Sequence, residues 1–107
     1  MEKRLKKQKD FDLVFNKGTR LYSKTLTLLY FKSDSLKIGI SVSKKHGKAV
    51  LRNRIKRLLR AAFNNYFEKM KDNYYIILLP KCQEEYNYFK FCRDLEFLLK
   101  KGKIIND

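Results

Sequence analysis

The sequence predicts an α+β fold, with helices packed on one β-sheet in a single domain over residues 1–107. Three observations carry that expectation. Leu51, Ile55, Leu58, Leu59, Ala62, Phe63 and Tyr66 recur at three- and four-residue steps, the period of a helix. Ile38, Ile40 and Val42 alternate with Gly39, Ser41 and Ser43, the period of a strand with one apolar face. Residues 74–79, YYIILL, form a near-continuous apolar run, as in a strand buried on both faces.

The elements follow in order. Residues 5–17 open the fold. Phe11, Val14 and Phe15 fall at i, i+3 and i+4 on one face of a short helix, with Asp10 as its cap and Gly18 as its stop. Residues 19–42 read as two or three strands, with a polar turn at 32–35 centred on Asp34. The loop SKKHGK (43–48) bends at Gly47. A long helix then runs from Lys48 or Ala49 to Met70, until Asp72 and Asn73 break it. Pro80 closes the next strand. Residues 84–101 predict a last amphipathic helix with Tyr88, Phe91, Cys92, Leu95, Leu98 and Leu99 inward. Glu84 and Glu85 would start it, where carboxylates suit the helix dipole. The tail from Gly102 is expected to be mobile.

Charge is the informative part of the composition. Twenty-six Lys and Arg face eleven Asp and Glu, a formal net charge of +15 on 107 residues. Such charge opposes compaction, and a polyanionic partner relieves it. No apolar run approaches the ~20 residues that span a bilayer. The basic N-terminal stretch 1–9 leads into no apolar signal core, so a cytoplasmic protein is expected. Cys82 and Cys92 then read as packing cysteines without a disulfide. With His46 as the sole histidine they match no metal knuckle, and His46 is assigned no role.

The cations concentrate. No acidic residue occurs between Ser35 and Phe67, a stretch that holds Lys44, Lys45, Lys48, Arg52, Arg54, Lys56, Arg57 and Arg60. At about 100° per residue, the apolar positions of the long helix share one stripe. Arg52, Asn53, Lys56, Arg57 and Arg60 take most of the opposite face, with Arg54 near its edge. A solvated helix face interleaves both signs of charge, and this one does not. Arginine's planar fork suits phosphate, and the Asn53 amide suits a base edge or ribose hydroxyl. Structured RNA is therefore the expected ligand.

The stretch 38–63, IGISVSKKHGKAVLRNRIKRLLRAAF, resembles the signature of the bacterial ribonuclease P protein component. The resemblance rests on Ser41 to Lys45, Gly47, Ala49-Val50, Arg52-Asn53-Arg54, Lys56-Arg57 and Arg60. Leu5, Asp10-Phe11, Val14-Phe15 and Gly18 extend it to the first helix. It implies an α-β-β-β-α-β-α sandwich similar to domain 2 of ribosomal protein S5. It also implies a left-handed β-α-β crossover, where general chirality rules predict a right-handed one. It implies a subunit of a ribonucleoprotein endonuclease that removes the 5′ leader from precursor tRNA. The RNA subunit would hold the active site and its Mg²⁺, with further Mg²⁺ at the protein-RNA boundary. The partners would be ribonuclease P RNA and precursor tRNA, and the isolated protein would be monomeric. Lys44, Lys45, Lys48, Arg52, Asn53, Arg54, Lys56, Arg57 and Arg60 would contact the catalytic RNA. Phe11, Phe15 and Tyr30 would contact the leader. Read from the residues alone, Phe11 and Phe15 are either core or stacking platforms for unpaired bases. Leu29 and Tyr30 compete for one aromatic position.

The chain itself offers no hydrolytic constellation. Its acids are scattered, and one histidine beside lysines makes no proton relay. Two other functions compete. A general RNA-binding protein would bind any structured RNA equally well. A DNA-binding helix would prefer duplex DNA.

Overall fold

The computed structural model describes residues 3–106. Met1, Glu2 and Asp107, at the ends of the basic lead-in and the tail, lie outside them. The elements are α1 (Gln8–Lys17), β1 (Thr19–Tyr22), β2 (Leu26–Lys32), β3 (Lys37–Ile40), α2 (Ala49–Asn64), β4 (Tyr74–Pro80) and α3 (Tyr88–Lys101). This is the expected α-β-β-β-α-β-α order.

One four-stranded sheet has the strand order β1-β2-β4-β3. β1 and β4 run antiparallel to β2, and β3 runs parallel to β4. The parallel neighbours β3 and β4 are joined through α2, a β-α-β unit. Side chains alternate across the sheet, so the central strands β2 and β4 each supply two cores. Leu26, Leu28, Ile38, Ile76 and Leu78 point to the side covered by α2 and α3. There they meet Ile55, Leu59, Ala62 and Phe63 of α2, and Phe91, Leu95, Leu98 and Leu99 of α3. Leu29 and Ile77 point to the other side, against Val14 of α1 and Leu5. β4 is thus buried on both faces, as its unbroken apolar run requires.

Several boundaries differ from the sequence expectation. Leu5 lies outside α1: Arg4 bridges Ile38 in parallel, and the Leu5 N–H bonds the Ile38 carbonyl at 2.9 Å. The lead-in thus adds a short extended piece to the free edge of β3. Lys7, not Asp10, precedes α1, and Asp10 sits in the first turn. β3 ends at Ile40, before Val42. α2 stops at Asn64 rather than Met70, where the Asn65 side chain donates to the Ala62 carbonyl at 3.1 Å. A 3₁₀ turn, Phe67–Lys69, follows. α3 starts at Tyr88, because the Asn87 side chain accepts from the Phe89 and Lys90 amides. Glu84 and Glu85 therefore lie in the preceding loop and serve no helix dipole.

The tail is docked, not loose. Ile104 and Ile105 are buried, and Met70 bridges Ile105. The Lys71 amide donates to the Ile104 carbonyl at 3.0 Å. Two apolar side chains at the sealed core outweigh the usual freedom of a chain end. Cys82 is exposed and Cys92 half-buried, both as free thiols, so only Cys92 packs.

Candidate nucleic-acid interface

α2 projects its cations because its apolar stripe is consumed by the core. Ile55, Leu59, Ala62 and Phe63 are buried, while Asn53, Arg54 and Arg57 are exposed. Arg52, Lys56 and Arg60, spaced by four, form a half-buried row along the flank near β3. The cationic face thus has two levels, an outer one at Arg57 and a flanking one at Arg52–Lys56–Arg60. Among the described residues, no ion pair engages Lys44, Lys45, Lys48 or any cation of α2. Burial and then the Arg4 guanidinium hold Arg60 below its usual value, and arginine still keeps its charge. The buried Nε of Arg52 has no hydrogen-bond partner among the described residues.

The lysines before α2 are held by a residue the sequence left without a role. His46 sits in a 3₁₀ turn, Lys44–His46, and its Nε2 lies 2.8 Å from the Pro80 carbonyl oxygen at the end of β4. Its Nδ1 lies 3.3 Å from the Ser43 hydroxyl. The Pro80 carbonyl can only accept, so Nε2–H donates to it, and Nδ1 faces both the Ser43 hydroxyl and, at 3.2 Å, the Ser43 carbonyl oxygen. Lys44 and Lys45 are thereby pinned beside the sheet. Gly47 has φ 117°, a backbone conformation that favours glycine, and it turns the chain into α2 as expected. Lys48 supplies no side-chain cap to the first amides of α2.

On the other side of the sheet, α1 alone covers the strands. Phe11, Phe15, Phe31 and Tyr75 pack against the small core there and stay half-buried. Phe31 and Tyr75 are cross-strand partners. Phe11 lies close over Gly39: a Cβ there would come within 2.7 Å of the ring. Gly39 thus lets α1 seat its aromatic row directly on the sheet. Arg20 stands over the Phe15 ring, 5.9 Å from its centroid. A cleft of about 310 Å³ opens between Phe11, Phe15, Ile40, Val42 and Lys56. A second, of about 320 Å³, lies across Ile40 between Arg60, Lys3, Arg4 and Phe67. Lys56 of α2 therefore borders the aromatic cleft, and Arg60 borders the neighbouring one across Ile40.

Tyr30 does not join Phe11 and Phe15. It points to the α2/α3 side, packs against the large core and meets Tyr74 edge-on at 5.9 Å. Leu29 takes the α1 side of β2 and is fully buried, so it cannot serve as an exposed platform. The aromatic on that side is Phe31, two residues beyond Leu29. Strand parity was the available signal: once Leu29 points toward α1, Phe31 must follow.

The family model for ribonuclease P matches residues 1–103. The chain belongs to that family. A ribonuclease P protein component from Clostridioides difficile is 42% identical over 106 residues, 95% of this chain and 93% of that protein. The one from Bacillus velezensis is 38% identical over 104 residues, covering 94% and 90%. The solved Staphylococcus aureus RNase P protein superposes with a TM-score of 0.87 at 31% identity, covering 99% of this chain and 100% of that one. The Thermotoga maritima protein gives 0.81 at 30% identity, covering 92% and 96%. A ribonuclease P protein fold thus carries both the cationic helix and the aromatic cleft.

Proposed function

We propose that this chain is the protein subunit of the ribonuclease P ribonucleoprotein and assists removal of the 5′ leader in tRNA maturation. Its two adjoining surfaces take two RNA segments. α2 and the pinned loop, with Lys44, Lys45, Lys48, Arg52, Asn53, Arg54, Lys56, Arg57 and Arg60, grip the catalytic RNA. Phe11, Phe15 and Phe31 line the place where the unpaired leader stacks, and Lys56 supplies a phosphate contact at its border. The observation that carries this reading is the shared border itself. A flexible strand can leave a structured RNA held on α2 and enter the aromatic cleft without leaving positive surface.

The chemistry belongs to the RNA in this reading. Among the described residues, no group of three His, Cys, Asp or Glu is placed to hold a metal ion. Mg²⁺ is assigned to the RNA and the protein-RNA boundary, and the protein contributes binding and orientation. No helix among the described residues is long and apolar enough to cross a membrane.

Reconstitution tests the proposal. Purified protein should stimulate cleavage of precursor tRNA by its cognate RNA at low Mg²⁺. It should favour substrates with a 5′ leader over mature tRNA. Folded protein that gives active RNA no stimulation, or binds both RNAs equally, overturns it.

A further inference from the structure

Two phenylalanines on α3 stand outside the core, Phe89 touching only the edge of the Tyr88 ring at 5.3 Å among the ring contacts of the described residues. Phe89 is 77% exposed and Phe97 is 53% exposed. They stand eight residues apart on the outward side of the helix, about 12 Å along its axis. The inward side is already complete, with Phe91, Leu95, Leu98 and Leu99 buried in the large core. Cations share the outward side of α3 with the exposed rings, while Glu84 and Glu85 lie in the loop before it. Lys90, Arg93, Lys100 and Lys101 share that side, and the Lys101 ammonium lies 5.7 Å from the Phe97 ring centroid. Glu96 is the one acid facing out, near Lys100 at 3.9 Å. Asp94 turns inward and accepts from the Thr25 amide and hydroxyl.

We infer that the outer face of α3 is a second binding surface for unpaired RNA, separate from the cleft beside α1. The two lie on opposite faces of the sheet. The occupant follows from charge and shape together. A second copy of this chain, also at +15, would bring like-charged faces together. Single-stranded RNA carries both complements, phosphates for the cations and flat bases for the rings. The spacing of Phe89 and Phe97 suits two bases with one nucleotide between them on an extended strand. α2 and α3 pack side by side on one sheet face, so the new surface extends the cationic helical layer. RNA held on α2 can send an unpaired loop or end onto α3.

The test is a titration of the full-length, isotope-labelled protein with a short oligouridine, followed by amide NMR. Residues 89–101 should shift together with the cleft around Phe11 and Phe15. In the Phe89→Ala/Phe97→Ala double variant the α3 shifts should vanish and the cleft shifts remain. Affinity at the α3 site should fall by tenfold or more, in line with the loss of two stacking platforms. Both rings are exposed, so the variant should fold as the parent does, which its spectrum reports directly. Unmoved α3 amides at oligouridine concentrations well beyond cleft saturation overturn the inference. So does self-association of the parent that the double variant abolishes without any oligouridine response. Stimulation of precursor tRNA cleavage is a separate reading. Its loss with the α3 shifts intact counts against the proposed function and leaves this inference standing.

Discussion

The two faces of the sheet are finished differently. The α2/α3 side is sealed by two helices and the docked tail, and leaves Leu26, Leu28, Ile76, Leu78, Phe63 and Phe91 with essentially no exposure. The α1 side has one ten-residue helix, Gln8–Lys17, of which only Val14 is buried. Phe11, Phe15, Phe31 and Tyr75 remain half-open there. The sealed side holds the fold together, and the unfinished side keeps aromatic surface available for a ligand. In the proposed function this incompletely covered face, bordered by Lys56, is the one that takes the leader, with core-type residues serving as its binding surface.

Four measurements break or sharpen that contrast, beginning with the largest effect. Phe91→Ala should cost about 3–5 kcal/mol in urea unfolding, the range for a large side chain removed from a closed core. Phe15→Ala should cost only about 1–2 kcal/mol, since part of the ring is already wet. It should lower leader affinity by about tenfold. Equal destabilisation by both would return Phe15 to the core and remove the contrast.

Asp94→Ala probes how the sealed side is closed at its far end. Asp94 accepts from the Thr25 amide at 2.9 Å and its hydroxyl at 2.6 Å, tying the β1–β2 turn to α3. The substitution strands a buried N–H and should cost about 1–3 kcal/mol in thermal or urea unfolding. An unchanged midpoint would show that packing alone closes that end.

Arg57→Ala and Arg60→Ala should each leave stability within about 0.5 kcal/mol. Each should weaken binding of the catalytic RNA and make its salt dependence shallower by roughly one unit of slope. Filter binding across a salt series reads both. An unchanged slope would remove these residues from the phosphate grip.

The smallest effect concerns the exposed pair Lys32 and Asp72, whose charged groups lie 3.0 Å apart. The Lys32 hydrogen bond, then the Asn73 amide, hold the Asp72 carboxyl below its ordinary 3.8. A lowered carboxyl contributes stability above its unfolded value and loses it as pH falls through the folded one. Lys32 is raised by the same partner, so its share is lost only as pH rises through its folded value, above the ordinary 10.5. Asp72→Asn should therefore lower the melting temperature slightly near neutral pH, with the difference vanishing in acid. A difference that persists in strong acid would assign the effect to something other than this ion pair.

Much of the fold was legible because its signals are local. The three- and four-residue period of Leu51, Ile55, Leu58 and Leu59 marks α2, and the unbroken run of β4 marks a central strand. The cationic face was legible too, since helical geometry alone places Arg57 opposite Ile55 and Leu59. Helix ends were less so. α2 stops at Asn64 because Asn65 and a 3₁₀ turn intervene, yet Tyr66 stays buried and prolongs the apolar pattern past the helix.

What the sequence determined by itself was element type, element order, the two-sided character of α2 and the family signature. Only the tertiary structure decided which side of the sheet each aromatic faces. It put Tyr30 with the sealed core and Phe31 beside α1, pinned the lysine loop through His46, docked Ile104 and Ile105, and left Phe89 and Phe97 uncovered. The physical reason is that periodicity records which side chains share a face. Which neighbour covers that face depends on strand pairing and helix docking between residues far apart in the chain.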